Sequence, residues 1–542
     1  MKIDYVSHQE TGYFSNLVTD YLNGNDDLKP FYQYEPNDKG LEKAIQERSH
    51  FAIDRNTLVT VLQKQYEKLP EHPLVQQNIQ ALLSENTFTV CTAHQPNLLT
   101  GYLYFFYKIL HAAHLAKHLK AQYPEKNFVP VFYIGSEDND LEELGVFRFR
   151  NQKYRWDTQQ SGAVGRMSTK DLLPLIEKLK RDIGLSSENA KHLQKVIAAA
   201  YESQPTIADA TRSIIHELLG DFGIVVVDAD DADLKRNFLP VLKSELFQPQ
   251  SHDLVVNSSE QLNRHYKAQA YSREINLFYL KDNLRERIER QGDGWIVVNT
   301  SIRWENEEEL EAELNQHPER FSPNVILRGL YQESILPNVA FIGGGSEVAY
   351  WMQLKSVFQH YHVFYPALIL RQSALWMGKK ECELKEVLDL DVAEIFLKKE
   401  ALKKHYIYQH CQKGLDLSAE NEKVTELMNL MKEKCLSIDS SLEKSAEAAL
   451  AKMRHQFKIL EQKMMRAEKK NQGIAMQRIE SFRQHAFPNE SLQERYDSFL
   501  AYYLDYGPVF FEVIYENSLP YGDQFLIVQD ILKKKLRINF VK

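Results

Sequence analysis

Three segments of this 542-residue chain carry side chains of types that could perform chemistry. The first is a turn at 92–101 that contains a histidine, a glutamine and an asparagine. The second is an acidic run at 135–140, and the third is a run of glycines at 343–345 followed at once by a serine and a glutamate. Each segment comes after a strand-like stretch, and open α/β sheets build their reactive pockets at strand ends. The three segments together indicate an enzyme.

The turn at 92–101 is a candidate nucleotide-binding loop. In class I synthetase-type nucleotidyltransferases, a His-x-Gly-His turn ahead of a helix holds imidazoles and helix amides against the phosphates of ATP. Here His94 fills the first histidine position, and Asn97, which can donate a hydrogen bond but cannot carry a charge, fills the second. The alternative is that these side chains only cap the following helix. The candidate nucleotide-binding residues are His94, Gln95, Asn97, Thr100, Gly101 and Lys108.

The acidic run crowds the carboxylates of Glu137, Asp138 and Asp140 into a single strand end. Like charges this close raise one another's pKa unless a cation lies nearby, so the run suits Mg²⁺, a substrate ammonium or a general base. The alternative is an acidic loop exposed to solvent. Together with Glu347, these three residues are the candidate catalytic residues.

The glycine turn is a candidate substrate-binding loop. Consecutive glycines let a ligand approach the backbone closely, and the segment has neither the lysine of a Walker loop nor the spacing of a dinucleotide-binding loop. Glu347 lies in the first turn of the predicted helix, where a carboxylate disfavours phosphate and favours an ammonium or sugar hydroxyls. A tight turn without a ligand is the alternative. The candidate substrate-binding residues are Asn338, Gly343, Gly344, Gly345, Ser346, Tyr350, Trp351 and Arg371.

The elements that position these segments follow an alternating pattern. Residues 87–91 and 128–134 have the composition of buried strands, and 103–120 has the apolar spacing of a helix, which predicts a βαβ unit. The pattern recurs downstream and predicts a doubly wound parallel sheet. The further predicted helices are 206–219 and 347–359, and the further predicted strands are 223–227, 325–327, 339–342 and 363–370. Two insertions interrupt the sheet, a helical one near 150–205 and one with a small antiparallel element near 260–320.

From about residue 381 the composition shifts toward leucine, lysine, glutamate and alanine. Apolar residues then alternate in steps of four and three, which is the repeat of a coiled-coil seam and predicts a long helical hairpin. Either an intramolecular partner at 383–435 or a second subunit covers this seam. The seam residues are Leu442, Ala446, Ala449, Met453, Phe457, Leu460, Met464 and Ala467. We therefore expect a core at 1–380, a helical dimerisation domain at 381–487, and a tail at 488–542 that returns to the core through a strand at 509–515.

Charge and cysteine content exclude several classes of protein. A net charge of −9 and a pI near 6.1 argue against a nucleic-acid-binding surface. The four cysteines are widely separated, which is atypical of zinc fingers and disulfide frameworks. The sequence shows neither a secretory leader nor a run of about 18 apolar residues, so we expect a cytoplasmic protein.

The three segments also resemble, in order and content, the BshC family of cysteine ligases of bacillithiol biosynthesis. Residues 92–101 resemble its Thr-Gly-Gln-Gln-x-Gly-Leu-x-Thr-Gly turn. Residues 132–143 resemble its aromatic-Ile-x-x-Glu-Asp-x-Asp run, and 343–354 its Gly-Gly-x-x-Glu-x-x-Tyr-Trp-x-Gln-Leu run. The chain departs from these motifs at Ala93, His94, Asn97, Tyr102 and Asn139.

The resemblance implies a Rossmann-like α/β core with inserted connecting elements and a C-terminal coiled coil that forms a homodimer. It also implies condensation of cysteine with the amine of glucosaminyl-malate, the last step of bacillithiol biosynthesis. Amide formation requires an activated carboxylate, so ATP or ADP is the expected cofactor, with Mg²⁺ as a further candidate. Two alternatives are a non-catalytic dimeric nucleotide-binding scaffold and a class I synthetase-like adenylating enzyme with another acceptor. Neither nucleic acid nor membrane is an expected partner.

Overall fold

The computed structural model describes residues 1–150, 152–411, 415 and 417–531. Its centre is a five-stranded parallel sheet whose strands we number in chain order. The strands are β1 (Thr87–His94), β2 (Asn127–Ile134), β3 (Val225–Asp228), β4 (Asn338–Gly343) and β5 (Ala367–Leu370). Their order across the sheet is β5-β4-β1-β2-β3. This arrangement confirms the predicted doubly wound parallel sheet.

The parallel sheet is buried on both faces. Nearly every residue of β1, β2 and β4 is inaccessible, as expected where helices cover both sides of a parallel sheet. The strand order reverses between β1 and β4, since β2 continues on one side of β1 and β5 on the far side of β4. In open α/β sheets, ligands bind beyond the carboxyl ends of the strands at such a switch point.

Three smaller sheets surround the core. Lys2–Ser7 pairs with Gln524–Gln529, which also pairs with Ala374–Met377, so both ends of the described chain meet in one sheet. The second insertion forms an antiparallel sheet, as predicted. Its strands, in spatial order, are Arg303–Trp304, Gly294–Val297, Leu284–Gln291, Leu277–Lys281 and Phe321–Pro323. A short hairpin pairs Val146–Phe149 with Gln152–Arg155.

Helices fill the remaining layers. Those before β1 are Asn16–Leu22, Asp38–Arg48, Arg55–Tyr66 and Pro73–Ala81, with a short helix at His8–Thr11. Those between β1 and β4 are Tyr104–Gln122, Leu173–Ile183, Glu188–Tyr201, Ile207–Leu219, Leu239–Phe247, Ser251–Leu262, Glu307–Gln316 and Val325–Ile335, with short helices at Leu141–Leu144 and Ala232–Arg236. Those after β4 are Gly345–Met352, Lys355–His360, Lys379–Val387, Lys399–His410, Ser418–Ile438, Glu443–Asn471, Gly473–Ala486, Phe499–Tyr506 and Val509–Asn517.

The predicted helical hairpin is present. Ser418–Ile438 packs along Glu443–Asn471, and Lys432 forms ion pairs with Glu443 and Glu447 across the two helices. The seam is therefore covered in part by an intramolecular partner that falls almost entirely within the predicted range 383–435. Of the described residues in these two helices, Met428 alone is buried. The hairpin therefore gains little stability from its own core.

The prediction of a strand at 509–515 is wrong. Val509–Asn517 is a helix in which Phe510, Phe511 and Ile514 are buried while Val509 is exposed. That burial follows the helical period rather than the alternation of a strand, and a short apolar run does not distinguish the two by composition. Gln524–Gln529 is the strand that returns to the core, while 532–542, the end of the predicted tail, lies outside the described residues.

Two predictions around β4 also need correction. Residues 325–327 begin the helix Val325–Ile335 instead of forming a strand, because the side chain of Asn324 caps the amide of Ile326 at 2.8 Å. The helix predicted at 347–359 is broken in two at Gln353, whose buried side chain accepts hydrogen bonds from the backbone amides of residues 269 and 270. Within the described residues, we find no helix with the length and apolar character needed to cross a membrane.

Candidate active site

A cavity of about 430 Å³ lies at the switch point, beyond the carboxyl ends of β1, β2, β3 and β4. Residues from the core, from the inserted sheet and from the C-terminal part of the chain all contribute to its wall. The polar and aromatic lining residues are His94, Gln95, Tyr104, Tyr133, Ser136, Glu137, Asp138, Glu143, Asp230, Arg285, Asn324, Arg328, Ser346, Glu347, Tyr350, Arg371 and Arg495. The three segments singled out in the sequence therefore share one cavity.

An ion pair joins the two sides of the switch point. Lys108, on the helix after β1, places Nζ 2.7 Å from Oε2 of Glu347 and 2.6 Å from the carbonyl oxygen of Ala93. Burial lowers the pKa of Lys108, whose side chain is 2% exposed. Although burial would raise it, the Lys108 ammonium and the Gly344 amide hold the pKa of Glu347 below its usual value. The ammonium of Lys108 is therefore paired with Glu347, and Lys108 does not line the cavity.

Glu347 also explains the conformation of the glycine turn. Its Oε2 accepts the backbone N–H of Gly344 at 2.8 Å, so the side chain caps its own helix. Its Oε1 accepts no hydrogen bond within the described part of the chain, and Glu347 lines the cavity. This geometry presents one anionic oxygen to a ligand at a helix N-terminus, which favours an ammonium over a phosphate.

The first turn contributes a hydrogen-bonded chain to the cavity. Gln95 Nε2 donates to Asp138 Oδ2 at 3.2 Å, which aims Gln95 Oε1 at His94 Nδ1, 2.6 Å away. His94 Nε2 then lies 3.0 Å from the hydroxyl of Tyr104. Burial, reinforced by the Lys108 ammonium, lowers the pKa of His94 to about 3. His94 is therefore neutral near pH 7. It can orient Gln95 and Tyr104, but it offers no positive charge to a phosphate.

Three predicted nucleotide-binding residues of the same turn do not line the cavity. They are Asn97, Thr100 and Gly101. Asn97 is buried, and a Cβ at Gly101 would approach its side chain to 2.9 Å. Thr100 and Gly101 both have positive φ angles, 64° and 69°, which lets the chain turn tightly into the next helix. These three residues shape the turn.

The three carboxylates of the acidic run lie in different environments. Glu137 forms a buried ion pair with Lys235, and burial raises the pKa of this carboxyl while the lysine opposes the shift. Asp138 accepts hydrogen bonds from Gln95 and from the amide of Asp140. Asp140 is exposed and caps the helix Leu141–Leu144, outside the cavity. Among the described residues, no group of three His, Cys, Asp or Glu side chains is arranged to hold a metal.

The segment that follows β3 supplies a further carboxylate, which is not among the candidate residues named from the sequence. Asp230 lines the cavity and is held by Arg166 through two hydrogen bonds of 2.5 and 2.6 Å. Beside it, Ser136 donates to Asp228 at 2.5 Å, and burial together with the Asp230 charge raises the pKa of Asp228 to about 6. Asp230 and Glu137 therefore each have a cationic partner, Arg166 and Lys235 respectively, and neither partner lines the cavity.

The remaining predicted substrate-binding residues divide into two groups. Ser346 and Tyr350 line the cavity with Gly344, while Gly343 and Gly345 provide the backbone of the turn. The other two do not reach the cavity. Trp351 stacks on Phe341 in the core at 4.4 Å, and Asn338 lies at the opposite end of β4, where it donates to Glu333.

Arg371 reaches the cavity from the end of β5. Its Nη2 donates to Oε1 of Glu494 at 2.6 Å, and both side chains are almost fully buried. The guanidinium also lies over the ring of Tyr104, 5.3 Å from its centroid. Glu494 belongs to the C-terminal part of the chain, so that part completes the site.

Three arginines were missed by the sequence analysis. Arg285 comes from the inserted sheet, Arg328 from the helix Val325–Ile335, and Arg495 from the turn next to Glu494. None forms an ion pair with a described residue, in contrast to Arg166 and Arg371. No local motif surrounds them, and their only sequence signal is charge. The cavity thus combines unpaired guanidinium groups with the free carboxylates of Asp138 and Glu143, which suits a ligand carrying both signs of charge.

Two family models match this chain. "Bacillithiol biosynthesis BshC, N-terminal Rossmann-like domain" matches residues 1–372. "Bacillithiol biosynthesis BshC, C-terminal coiled-coil domain" matches residues 375–529. The two matches meet between β5 and the strand Ala374–Met377, close to the boundary between the core and the C-terminal helices.

Curated relatives match over nearly the full chain, and those compared here carry the name "Putative cysteine ligase BshC". The relative from Flavobacterium johnsoniae is 39% identical over 97% of this chain and 100% of its own. The relative from Flavobacterium psychrophilum is 38% identical over 98% of this chain and 100% of its own. The relative from Cytophaga hutchinsonii is 37% identical over 96% of this chain and 97% of its own.

Proposed function

Because this chain belongs to the BshC family of bacillithiol biosynthesis, we propose that it is a ligase that joins the carboxyl group of cysteine to the amine of glucosaminyl-malate. The observation that carries the proposal is the cavity at the switch point, which gathers carboxylates and, among the described residues, unpaired guanidinium groups around Glu347. Such a set of charges matches an amino acid and a sugar amine that bears carboxylates.

Glu347 is the residue that we assign to the sugar amine. Glu347 lines the cavity, and Lys108 and the Gly344 amide fix its Oε2, while its Oε1 accepts no hydrogen bond from a described residue. A carboxylate held by two donors keeps one orientation, so it can position the nitrogen for attack on an acyl carbon. Tyr350, whose hydroxyl accepts a hydrogen bond from Arg328 at 2.8 Å, would contact the sugar beside it.

ATP or ADP with Mg²⁺ fits the opposite side of the cavity. Arg285 bonds only to the neutral side chains of Asn139 and Ser322 among the described residues, so its charge is available to phosphates. Asp138 and Glu143 have no cationic partner there, and Mg²⁺ is commonly held by one or two carboxylates together with phosphate oxygens. The nucleotide would supply the activation of the cysteine carboxylate. We therefore assign phosphate binding to Arg285 instead of Lys108 and His94, the two residues expected from the sequence.

A homodimer through the hairpin is part of the proposal. Apolar side chains of the helix Ser418–Ile438 face solvent, among them Leu427, Leu430 and Met431, which are 50 to 58% exposed. Exposed apolar side chains at coiled-coil spacing are stabilised when a second helix pair covers them. A second copy of the chain presents the same surface and can form a closed two-fold interface.

The ligase reaction is tested by incubating the purified protein with cysteine, glucosaminyl-malate, ATP and Mg²⁺. Mass spectrometry should detect the amide product, and chromatography of the nucleotides should show release of AMP or ADP in equal amount. Reactions that lack one substrate at a time are the controls. Nucleotide consumption with no amide product, or no turnover at all in the complete mixture, contradicts the proposal.

A further inference from the structure

We propose that Arg328 and Arg495 form an anion pocket that selects the acceptor by binding its dicarboxylate. The pocket is built from two sides of the cavity, since Arg328 comes from the helix after the inserted sheet and Arg495 from the C-terminal part of the chain. The inference rests on the proposed ligase function and adds which residues recognise the acceptor's charge.

The first argument is the state of the two guanidinium groups. Arg328 donates to the neutral side chains of Gln332 and Tyr350, at 3.3 and 2.8 Å. Arg495 has no side-chain hydrogen bond or ion pair with any residue in the described ranges. The fourth arginine of the lining, Arg371, has by contrast a carboxylate partner in Glu494. Two uncompensated cations that line one cavity attract an anionic ligand, and the guanidinium fork matches a carboxylate in two hydrogen bonds.

The second argument is that the backbone at Arg495 is held in place. The residues on its N-terminal side are tightly bound: Gln493 exchanges two hydrogen bonds of 2.9 Å with the backbone of Trp376, and Glu494 binds Arg371. The amide of Arg495 donates to the carbonyl oxygen of Leu492 at 3.0 Å, and on the C-terminal side the carbonyl oxygen of Asp497 accepts the amide of Leu103 at 2.8 Å. The fixed backbone keeps the exposed side chain of Arg495 at the cavity wall, which lowers the entropic cost of binding.

The third argument decides which substrate the pocket serves. Arg328 donates to the hydroxyl of Tyr350, which follows Glu347 by three residues on the same helix, and Arg495 follows Glu494, whose partner Arg371 lies beside Gly344 of the glycine turn. Arg285, in contrast, donates to Asn139 beside Asp138, at the acidic side assigned to the nucleotide. An acceptor whose amine contacts Glu347 therefore has Arg328 and Arg495, rather than Arg285, within reach of its carboxylates.

Binding measurements test the pocket without relying on turnover. Glucosaminyl-malate is titrated calorimetrically into the wild-type protein and the variants Arg328→Gln and Arg495→Gln. We expect each variant to bind about ten-fold to a hundred-fold more weakly, as for loss of a charged hydrogen bond. Arg495→Lys should recover part of the affinity because it keeps the charge. Arg303→Gln is the matched control, since Arg303 is exposed and pairs with Glu305 outside the cavity.

Two further probes identify the source of the anion. Methyl glucosaminide carries the amine without carboxylates, so its affinity should be low and equal in all variants. The affinity for ATP should not change in Arg328→Gln or Arg495→Gln, and a selective loss of ATP binding would assign the two arginines to phosphates and overturn the proposal. Unchanged affinity for glucosaminyl-malate in both folded variants, or no binding to the wild type, also overturns it. Binding of the expected kind without amide formation contradicts the ligase reaction alone.

Discussion

The ammonium of Lys108 lies 2.7 Å from the carboxylate of Glu347 and joins the helix after β1 to the helix after β4. The two residues are 239 positions apart in the chain. Because the pair spans the point where the strand order reverses, it ties the two helices together across the switch point, while Glu347 Oε1 accepts no hydrogen bond from a described residue.

The variant Lys108→Met should lose about 1–3 kcal/mol of unfolding free energy, because it leaves the partly buried carboxylate of Glu347 without its cation. Chemical denaturation measures this loss. The control is Lys117→Met on the same helix, whose ion pair with Glu516 is more than half exposed and should cost less than about 1 kcal/mol. Equal effects of the two substitutions would show that the Lys108 pair does not hold the cavity together.

The variant Glu347→Gln should fold and yet form no amide product. The glutamine oxygen can still cap Gly344, but the side chain no longer carries the charge that holds the acceptor amine. Product is followed by mass spectrometry, and circular dichroism checks the fold. Wild-type turnover in this variant would remove Glu347 from the mechanism.

The variant His94→Gln should change how stability depends on pH. The folded-state pKa of His94 is about 3, below its value near 6.5 in the unfolded chain, so protons bind preferentially to the unfolded state between those values. The wild type should therefore lose stability relative to the variant as the pH falls below about 6.5, by about 1.4 kcal/mol per pH unit. Urea denaturation at about pH 7.5 and pH 5 measures this, and parallel curves for the two proteins would contradict the neutral, buried histidine.

The variant Leu430→Glu should convert a dimer into a monomer, because it places a charge in the exposed apolar surface of the hairpin. Light scattering coupled to size-exclusion chromatography measures the mass in solution. Leu185→Glu is the matched control, since Leu185 is 63% exposed on the core domain, away from the hairpin. A wild-type monomer, or a dimer that survives the substitution, would place the subunit contact elsewhere.

Local sequence patterns were sufficient to predict the central strands and the long helices of this protein. The strands at 87–94 and 127–134, the helix between them and the helical hairpin follow from hydrophobic periodicity, which depends only on neighbours in the chain. The same reasoning failed for Val509–Asn517 and for the start of Val325–Ile335. Those apolar runs are short, and only the surfaces against which they pack distinguish a buried helix from a strand.

Sequence patterns alone indicated which segments meet at the cavity, because polar residues after buried strands lie at the same edge of a parallel sheet. The partner of each side chain depends on the three-dimensional fold. The fold pairs Lys108 with Glu347 and places Asp140 at a helix cap, and it leaves Arg328 and Arg495 without a carboxylate partner among the described residues. A charged side chain either pairs within the fold or remains available to a ligand, and neighbours that are distant in the chain decide which. A local sequence pattern does not identify those neighbours.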